Sequence, residues 1–397
     1  MMLGYNVENI RENFPVLSKP IIYFDSACMS LKPKQVIAAI LRYYEEFPAC
    51  AGRSAHTFAK QVELEIAKAR NEVKKLIHAQ KDKEIIFTRN TTEGINLICN
   101  TLQLQKGDSV ILTDKEHNSN LIPWLKKGIQ VKIVPSNKDN TFNLEEFQNL
   151  FDKSVKLVSM VHVSNLDGVE NPIKEISKIA HEHNAKVLVD GAQSVPSQEI
   201  NVKKLGMDFL AFSGHKMLGP TGTGVLYGKE EELEKLDQFM VGCETVRDST
   251  YTTYTKEFLP HRFEAGLQDY AGIMGLQEAA RFLRRIGLKK IQKHEIMLNK
   301  VMTETLTHPS IELIGPVDPT LRSGIFSFNI KGMSPHEVSK ILDTAKGIMT
   351  RSGAHCVHSW FNKHNLEGSC RASLYLYNTP QEVNIFCEEV QKLIHLT

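Results

Sequence analysis

The stretch KVLVDGAQSVPSQEINVKKLGMDFLAFSGHKMLGPTGTG, residues 186–224, decides the fold. It holds two short apolar runs, KVLVD (186–190) and DFLAFSG (208–214), joined by a polar connection. A continuous apolar run reads as a strand buried on both faces, which is the mark of a parallel sheet covered by helices. Working outward, EIIFT (84–88), SVILT (109–113), VKIV (131–134), KLVSMVHV (156–163) and GVLYG (224–228) read the same way. Between them TTEGINLICNTL, LIPWLKKG and PIKEISKIAHEH carry helical spacing. Before the first strand, Phe58, Val62, Ile66, Val73 and Ile77 mark one face of a long helix. Strands alternating with helices predict an α/β fold, a mostly parallel sheet covered on both faces.

The pattern changes beyond residue 262. A helical stretch runs from Ala271 to Leu306, with Gly287 as the break between two helices. GIFSFNI, a helix near 335–345, GIMTRSG, RASLYLY and a last helix from Pro380 then follow without strict alternation. This predicts a large domain over 1–287 and a smaller α+β domain over 288–397, with the N-terminal segment packing on the smaller one.

Composition narrows the class. The 397 residues are 42% apolar and 24% charged, so the chain folds and is too long for one small module. Lys and Arg number 48 against 46 Asp and Glu, and no basic run marks a nucleic-acid footprint. No signal peptide and no membrane helix is expected. The seven cysteines are widely spread with no C-x-x-C pair, which predicts reduced thiols in the cytoplasm.

The chemistry concentrates at strand ends. KVLVD sets Asp190 at the carboxyl end of a buried strand, where open parallel sheets keep their ligand crevice. The next strand delivers Ser213, His215 and Lys216 to the same edge. A structural ion pair would explain either Asp190 or Lys216 alone. Two converging strand ends favour pyridoxal phosphate chemistry, which needs a lysine for the Schiff base, a carboxylate on the pyridine nitrogen, and donors for the phosphate. FTRNTTEGINL puts Thr91 and Thr92 where a strand turns into a helix, an anion site. Simple N-capping would need only one of them.

With these motifs the chain resembles the fold-type I, class V aminotransferase family, whose signatures match VDGAQ and SGHK. The resemblance runs from YFDSACMSLKP (23–33) to RASLYLYNT (371–379) and implies further roles. His117, in KEHNSNLIPW, would stack on the cofactor ring; Gln193 would contact the ring hydroxyl, with Asn165 close to it. Arg371 would bind the α-carboxylate of an amino acid through its planar fork. TRSGAHCVHSW resembles the cysteine loop of the Suf-type (group II) cysteine desulfurases, a group that includes selenocysteine lyases. Cys356 would then be the nucleophile, close to Arg351 and to imidazoles that favour the thiolate. Reading HCVH as a metal site fails for want of a fourth ligand in register.

The resemblance implies a homodimer that desulfurates L-cysteine to L-alanine through a persulfide and passes the sulfur to an acceptor or scaffold protein for iron–sulfur cluster or thio-cofactor assembly. The alternatives are a selenocysteine lyase, an epimerase, or a scaffold without catalysis. The chain departs from the family pattern at Cys28 and Cys243, where small residues are usual, and at Leu267, where a threonine would reach a partner subunit's phosphate. Cys28, Cys50 and Cys243 read either as small residues that replaced alanine or glycine with little consequence or, with Cys243 reaching in from a second subunit, as a group near Cys356 that forms a soft metal or cluster site or a sulfur relay.

Overall fold

The computed structural model describes residues 5–52 and 54–395. Its larger sheet contains β1 (Ile85–Thr88), β2 (Ser109–Thr113), β3 (Gln130–Val134), β4 (Val155–Val161), β5 (Lys186–Asp190), β6 (Phe209–Ser213) and β7 (Gly224–Gly228). Their order across the sheet is β1-β7-β6-β5-β4-β2-β3. The β3, β2, β4, β5 and β6 neighbours pair in parallel, whereas β7 runs antiparallel to both β6 and β1.

Alternate residues of these strands enter two separate cores, because successive side chains of a strand point to opposite faces. On one face Val187, Val189, Leu210 and Phe212 pack with Val73, Ile176 and Leu276 from the helices Thr57–Leu76, Ile173–Glu182 and Tyr270–Ile286. On the other, Leu188, Phe209 and Ala211 meet Ile95, Ile98 and Trp124 from the helices Thr91–Thr101 and Asn118–Lys126. Burying each such aliphatic side chain contributes roughly 1.5–3 kcal/mol. Gly94 lets the helix Thr91–Thr101 settle onto β6, since a Cβ there would stand 3.1 Å from the Ala211 Cβ. Thr91 is thereby held against the end of the strand that leads to Lys216.

A second, antiparallel sheet is formed by β8 (Ile311–Ile314), β9 (Ile325–Ile330), β10 (Arg351–Gly353) and β11 (Ser369–Ser373), in the order β8-β9-β11-β10. Its apolar face packs on the helices Pro335–Lys346 and Pro380–Ile394, which begin at the capping boxes of Ser334 with Glu337 and Thr379 with Glu382. The N-terminal segment joins this part of the chain. Ile22–Tyr23 pairs in parallel with Ile348–Met349, and Ile22 and Phe24 belong to the same core. Gly287, at φ 94, separates the helices Tyr270–Ile286 and Leu288–Thr305. The second of these spans both regions, Leu288 and Ile291 in the core of the large sheet and Leu298 and Met302 in that of the small one.

The structure corrects three details. Phe58 is 47% exposed and does not share the buried face of the long helix, which is set by Val62, Ala69 and Val73. Ile77 lies one residue past the end of that helix, although it is buried. Within RASLYLY the strand ends at Ser373. The turn that follows sends Tyr375 and Tyr377 into the core of the large sheet, with the Tyr375 N–H donating to Asn378 Oδ1 at 2.8 Å.

Candidate active site

A cavity of about 220 Å³ opens at the carboxyl ends of β5 and β6 and is closed from the other side by β10, β11 and the loop at Cys356. Its lining includes Lys216, Asp190, His117, Arg371, Cys356 and Cys28. Thr91, Thr92, Asn165, Gln193, Ser213, His215 and Arg351, each singled out from the sequence, line it as well.

The floor is rigid. Asp190 ends β5, is 3% exposed, and accepts the Ala192 N–H at 2.9 Å. Burial pushes its carboxyl up, and the Lys216 amine partly offsets this. Lys216 follows β6 in a single 3₁₀ turn, Gly214–Lys216. Burial pulls its amine down, with Asp190 opposing and Arg371 reinforcing.

Asn90 supplies the helix cap expected of a threonine: it accepts the Glu93 N–H at 2.9 Å. It fits there because Gly224 has no side chain, a Cβ at that position falling 2.6 Å from the Asn90 Cα. Neither threonine is consumed as a cap. Thr91 bonds to Ser213 Oγ through its N–H (2.9 Å) and hydroxyl (2.7 Å), and the Thr92 hydroxyl meets Ser119 Oγ at 2.8 Å. This pattern of Asn followed three residues later by Glu93 is a capping signal present in the sequence.

His117 caps the helix Asn118–Lys126, its Nδ1 accepting the Ser119 N–H at 3.1 Å, which leaves the ring proton on Nε2. Burial, with Lys216, Arg351 and Arg371 nearby, lowers it to about 3, so the ring is neutral. His215 is likewise lowered to about 4 by burial and by Lys216. Gln193 Nε2 donates to the Ala27 carbonyl at 2.8 Å.

The opposite wall carries an unusual pair of charges. Arg351 on β10 and Arg371 on β11 are direct register partners across the antiparallel ladder. Like charges so placed repel unless an anion lies between or beside them. Arg371 is 2% exposed, donates to the Asn165 carbonyl at 2.8 Å and approaches Asp25 Oδ1 at 3.5 Å. Its Nε and the Asn165 Oδ1 are buried without a hydrogen-bond partner. A buried donor left open next to a cavity marks a ligand position. Asp25 and the Arg351–Arg371 facing were missed from the sequence, because the first is far along the chain and the second depends on strand register.

The loop at Cys356 turns through positive φ at two successive non-glycine residues, His355 (47) and Cys356 (61). The strain is held by tertiary contacts. The Asn118 N–H donates to the Cys356 carbonyl at 2.7 Å, and the Asn165 amide donates to the His355 carbonyl at 2.8 Å. One expectation fails here. His355 is 3% exposed, turns away to Ser369 (Nε2 to Oγ 2.8 Å), and is lowered to about 2 by burial and the arginines, so it offers no positive charge to a thiolate. Arg351, which lines the cavity with Cys356, donates to Cys28 Sγ at 2.6 Å.

The extra thiols do not gather within one chain. Cys28 lines the cavity, but Cys50 and Cys243 are exposed and outside it. Cys50 follows the helix Lys34–Glu46 in a loop, and Cys243 sits in another loop, its carbonyl accepting the Gly266 N–H at 2.8 Å. Leu267 is exposed and outside the cavity too. Among the described residues no group of three or more His, Cys, Asp and Glu side chains is arranged to hold a metal ion. No helix among them is long and apolar enough to cross a membrane.

The donor set fits pyridoxal phosphate: an amine and a carboxylate on the floor, a neutral imidazole beside them, and at one edge a helix N-terminus whose threonine hydroxyls are free of capping duty. An open, mostly parallel sheet with lysine and aspartate at adjoining strand ends defines the class, an α/β enzyme with a lysine-anchored cofactor site. The chain belongs to the class V aminotransferase family, whose model (Aminotransferase class-V) matches residues 22–386. It is 40% identical to a probable cysteine desulfurase of Halalkalibacterium halodurans over 98% of both chains, and 38% identical to a cysteine desulfurase of Escherichia coli over 99% of this chain and all of that one. The apo structure of a cysteine desulfurase from Thermococcus onnurineus superposes with a TM-score of 0.95 at 36% identity, covering 98% of each chain. That of the cysteine desulfurase CsdA from Escherichia coli superposes at 0.92 and 30% identity, covering 99% of each.

Proposed function

We propose that the chain is a pyridoxal phosphate-dependent cysteine desulfurase that converts L-cysteine to L-alanine and takes the sulfur onto Cys356 as a persulfide. The observation that carries this reading is one cavity bounded by Lys216 and Asp190 on the floor, two arginines on the wall and a thiol on the rim. The names of the full-length relatives support it.

Lys216 and Asp190 would hold the cofactor's aldehyde carbon and ring nitrogen, Thr91, Thr92, Ser213 and His215 its phosphate, and His117, Gln193 and Asn165 its ring. When bound, the cofactor supplies an electron sink next to the substrate α-carbon. The residues do the rest. Arg371, helped by Arg351, grips the carboxylate of L-cysteine, which answers the like-charge facing of β10 and β11. The Lys216 amine, pulled down by burial, moves the α-proton, and Asp190 holds a proton at the ring nitrogen. Cys356 Sγ attacks the substrate sulfur: the Sγ–S bond forms, the substrate Cβ–S bond breaks, and protonation of the remaining carbon skeleton gives alanine.

A homodimer is part of this reading, supported by the exposed apolar side chains Val241, Tyr251, Phe258 and Leu267 in one segment. So are a cytoplasmic location and delivery of the sulfur to an acceptor or scaffold protein for iron–sulfur or thio-cofactor assembly. The test is to load the protein with pyridoxal phosphate, add L-cysteine, and measure alanine together with sulfane sulfur on the Cys356 peptide. Formation of both is expected. Absence of alanine overturns the reading, and alanine released from selenocysteine but not from cysteine replaces it with a selenocysteine lyase. Borohydride reduction should attach the cofactor to the Lys216 peptide, an outcome that a scaffold without catalysis would not give.

A further inference from the structure

Cys28 is the cavity group that the proposed reaction leaves without a role. It arrives from a distant part of the chain, in the loop after Phe24, where the Ser26 N–H pairs with the Ser373 carbonyl at 3.4 Å and the Ala27 N–H with Ser373 Oγ at 3.0 Å. These bonds tie its backbone to the end of β11, the strand that carries Arg371. Its sulfur accepts a hydrogen bond from Arg351 Nη1 at 2.6 Å. Arg351 is therefore not only a carboxylate contact: it already engages a sulfur. The guanidinium donor fixes the position of the Cys28 sulfur at the cavity wall.

Cys28 and Cys356 line the same cavity of about 220 Å³. Arg371, whose Nε is buried without a hydrogen-bond partner, lines the same cavity and offers a donor to an anionic occupant. The Cys356 backbone is anchored by Asn118 and its neighbour by Asn165.

We propose that Cys28, held by Arg351, is a second persulfide site that receives the sulfane sulfur from Cys356 inside the cavity. The inference rests on Cys356 being the first acceptor. In the transfer, the Cys28 thiolate attacks the outer sulfur of the Cys356 persulfide. The Cys28 Sγ–S bond forms, the Cys356 Sγ–S bond breaks, and Cys356 leaves as the thiolate. The proton of the persulfide travels with the transferred sulfur. Cys28 rises to the persulfide level as Cys356 returns to the thiol level, so no outside oxidant or reductant is needed. The exchange frees Cys356 for a second turnover before any acceptor arrives, which gives the chain room for two sulfurs.

The test uses the holoenzyme given excess L-cysteine without reductant, then rapid alkylation, proteolysis and mass spectrometry of each cysteine peptide. Added sulfur is expected on the Cys356 and Cys28 peptides but not on those of Cys50 and Cys243, which are exposed in this chain. Cys28→Ser should lower total sulfane sulfur per chain by about half. Cys356→Ser should leave Cys28 unlabelled. The proposal is overturned if wild-type Cys356 is labelled and Cys28 is not, if Cys28 is labelled in Cys356→Ser, if Cys50 and Cys243 carry as much sulfur as Cys28, or if a Cys28–Cys356 disulfide forms with release of hydrosulfide. Loss of label from wild-type Cys356, with no alanine formed, would instead strike the desulfurase reading itself, so the two failures are distinct.

Discussion

The floor of the cavity and its rim are built by different means. On the floor, Asp190 and Ser213 are the last residues of strands buried along nearly their whole length, and Lys216 follows within one short turn. At the rim, Cys356 stands on a loop that leaves β10 and holds two residues at positive φ. Position on the floor comes from the packing of the sheet core. Position on the rim comes from two hydrogen bonds, from Asn118 and Asn165, donated by residues of the large-sheet region. The difference teaches that a cofactor site set by core packing and a sulfur acceptor set by a few hydrogen bonds rest on different supports.

Substitutions can break this division. Lys216→Ala removes the floor's anchor and its proton carrier together, and alanine formation should fall by about 10⁴-fold or more while the fold survives, as read by alanine release and circular dichroism. Asp190→Asn keeps the shape but not the charge; a loss on the order of 10²–10³ in kcat is expected from steady-state rates, with the cofactor still reducible onto Lys216. On the wall, Arg371→Gln loses a charged hydrogen bond of roughly 1.5–3 kcal/mol, so kcat/KM for L-cysteine should drop about 10–100-fold, mostly through KM. At the rim, His358→Ala removes the bond between its Nδ1 and the Asn118 amide (2.9 Å) and costs only about 1 kcal/mol, seen as a few-fold slower persulfide formation at unchanged affinity for the substrate.

A pH series sharpens the same contrast. Because His117 is lowered to about 3, its ring stays neutral throughout the range from about pH 5 to 8. His117→Phe should therefore lower the rate without altering the shape of the pH profile. A profile that loses an acid limb in this variant would show that the wild-type ring titrates there.

Floor and rim were not equally legible in the sequence. SVILT, KVLVD and GVLYG match β2, β5 and β7 residue for residue, because a strand buried on both faces writes itself as an unbroken apolar run. Asp190 and Lys216 could be placed from the ends of such runs. The rim could not. That Arg351 faces Arg371, and that it touches Cys28, 323 residues away in sequence, depends on strand register and on where the N-terminal segment docks. His355 looked like a partner for Cys356 by adjacency, yet the positive φ at both residues points its ring into the interior toward Ser369. The pairing of Ile22–Tyr23 with Ile348–Met349 left no local signal, since two residues are too few for a pattern.

The central claim is that floor and rim perform separate steps in one cavity, and the Cys356→Ser holoenzyme tests it most directly. L-cysteine should still change the cofactor absorbance as it does in wild type, while neither alanine nor sulfane sulfur accumulates over many turnover times, because a hydroxyl is far less nucleophilic than a thiolate. Wild-type yields of alanine and protein-bound sulfane sulfur from this variant would contradict the account and move the sulfur acceptor away from Cys356.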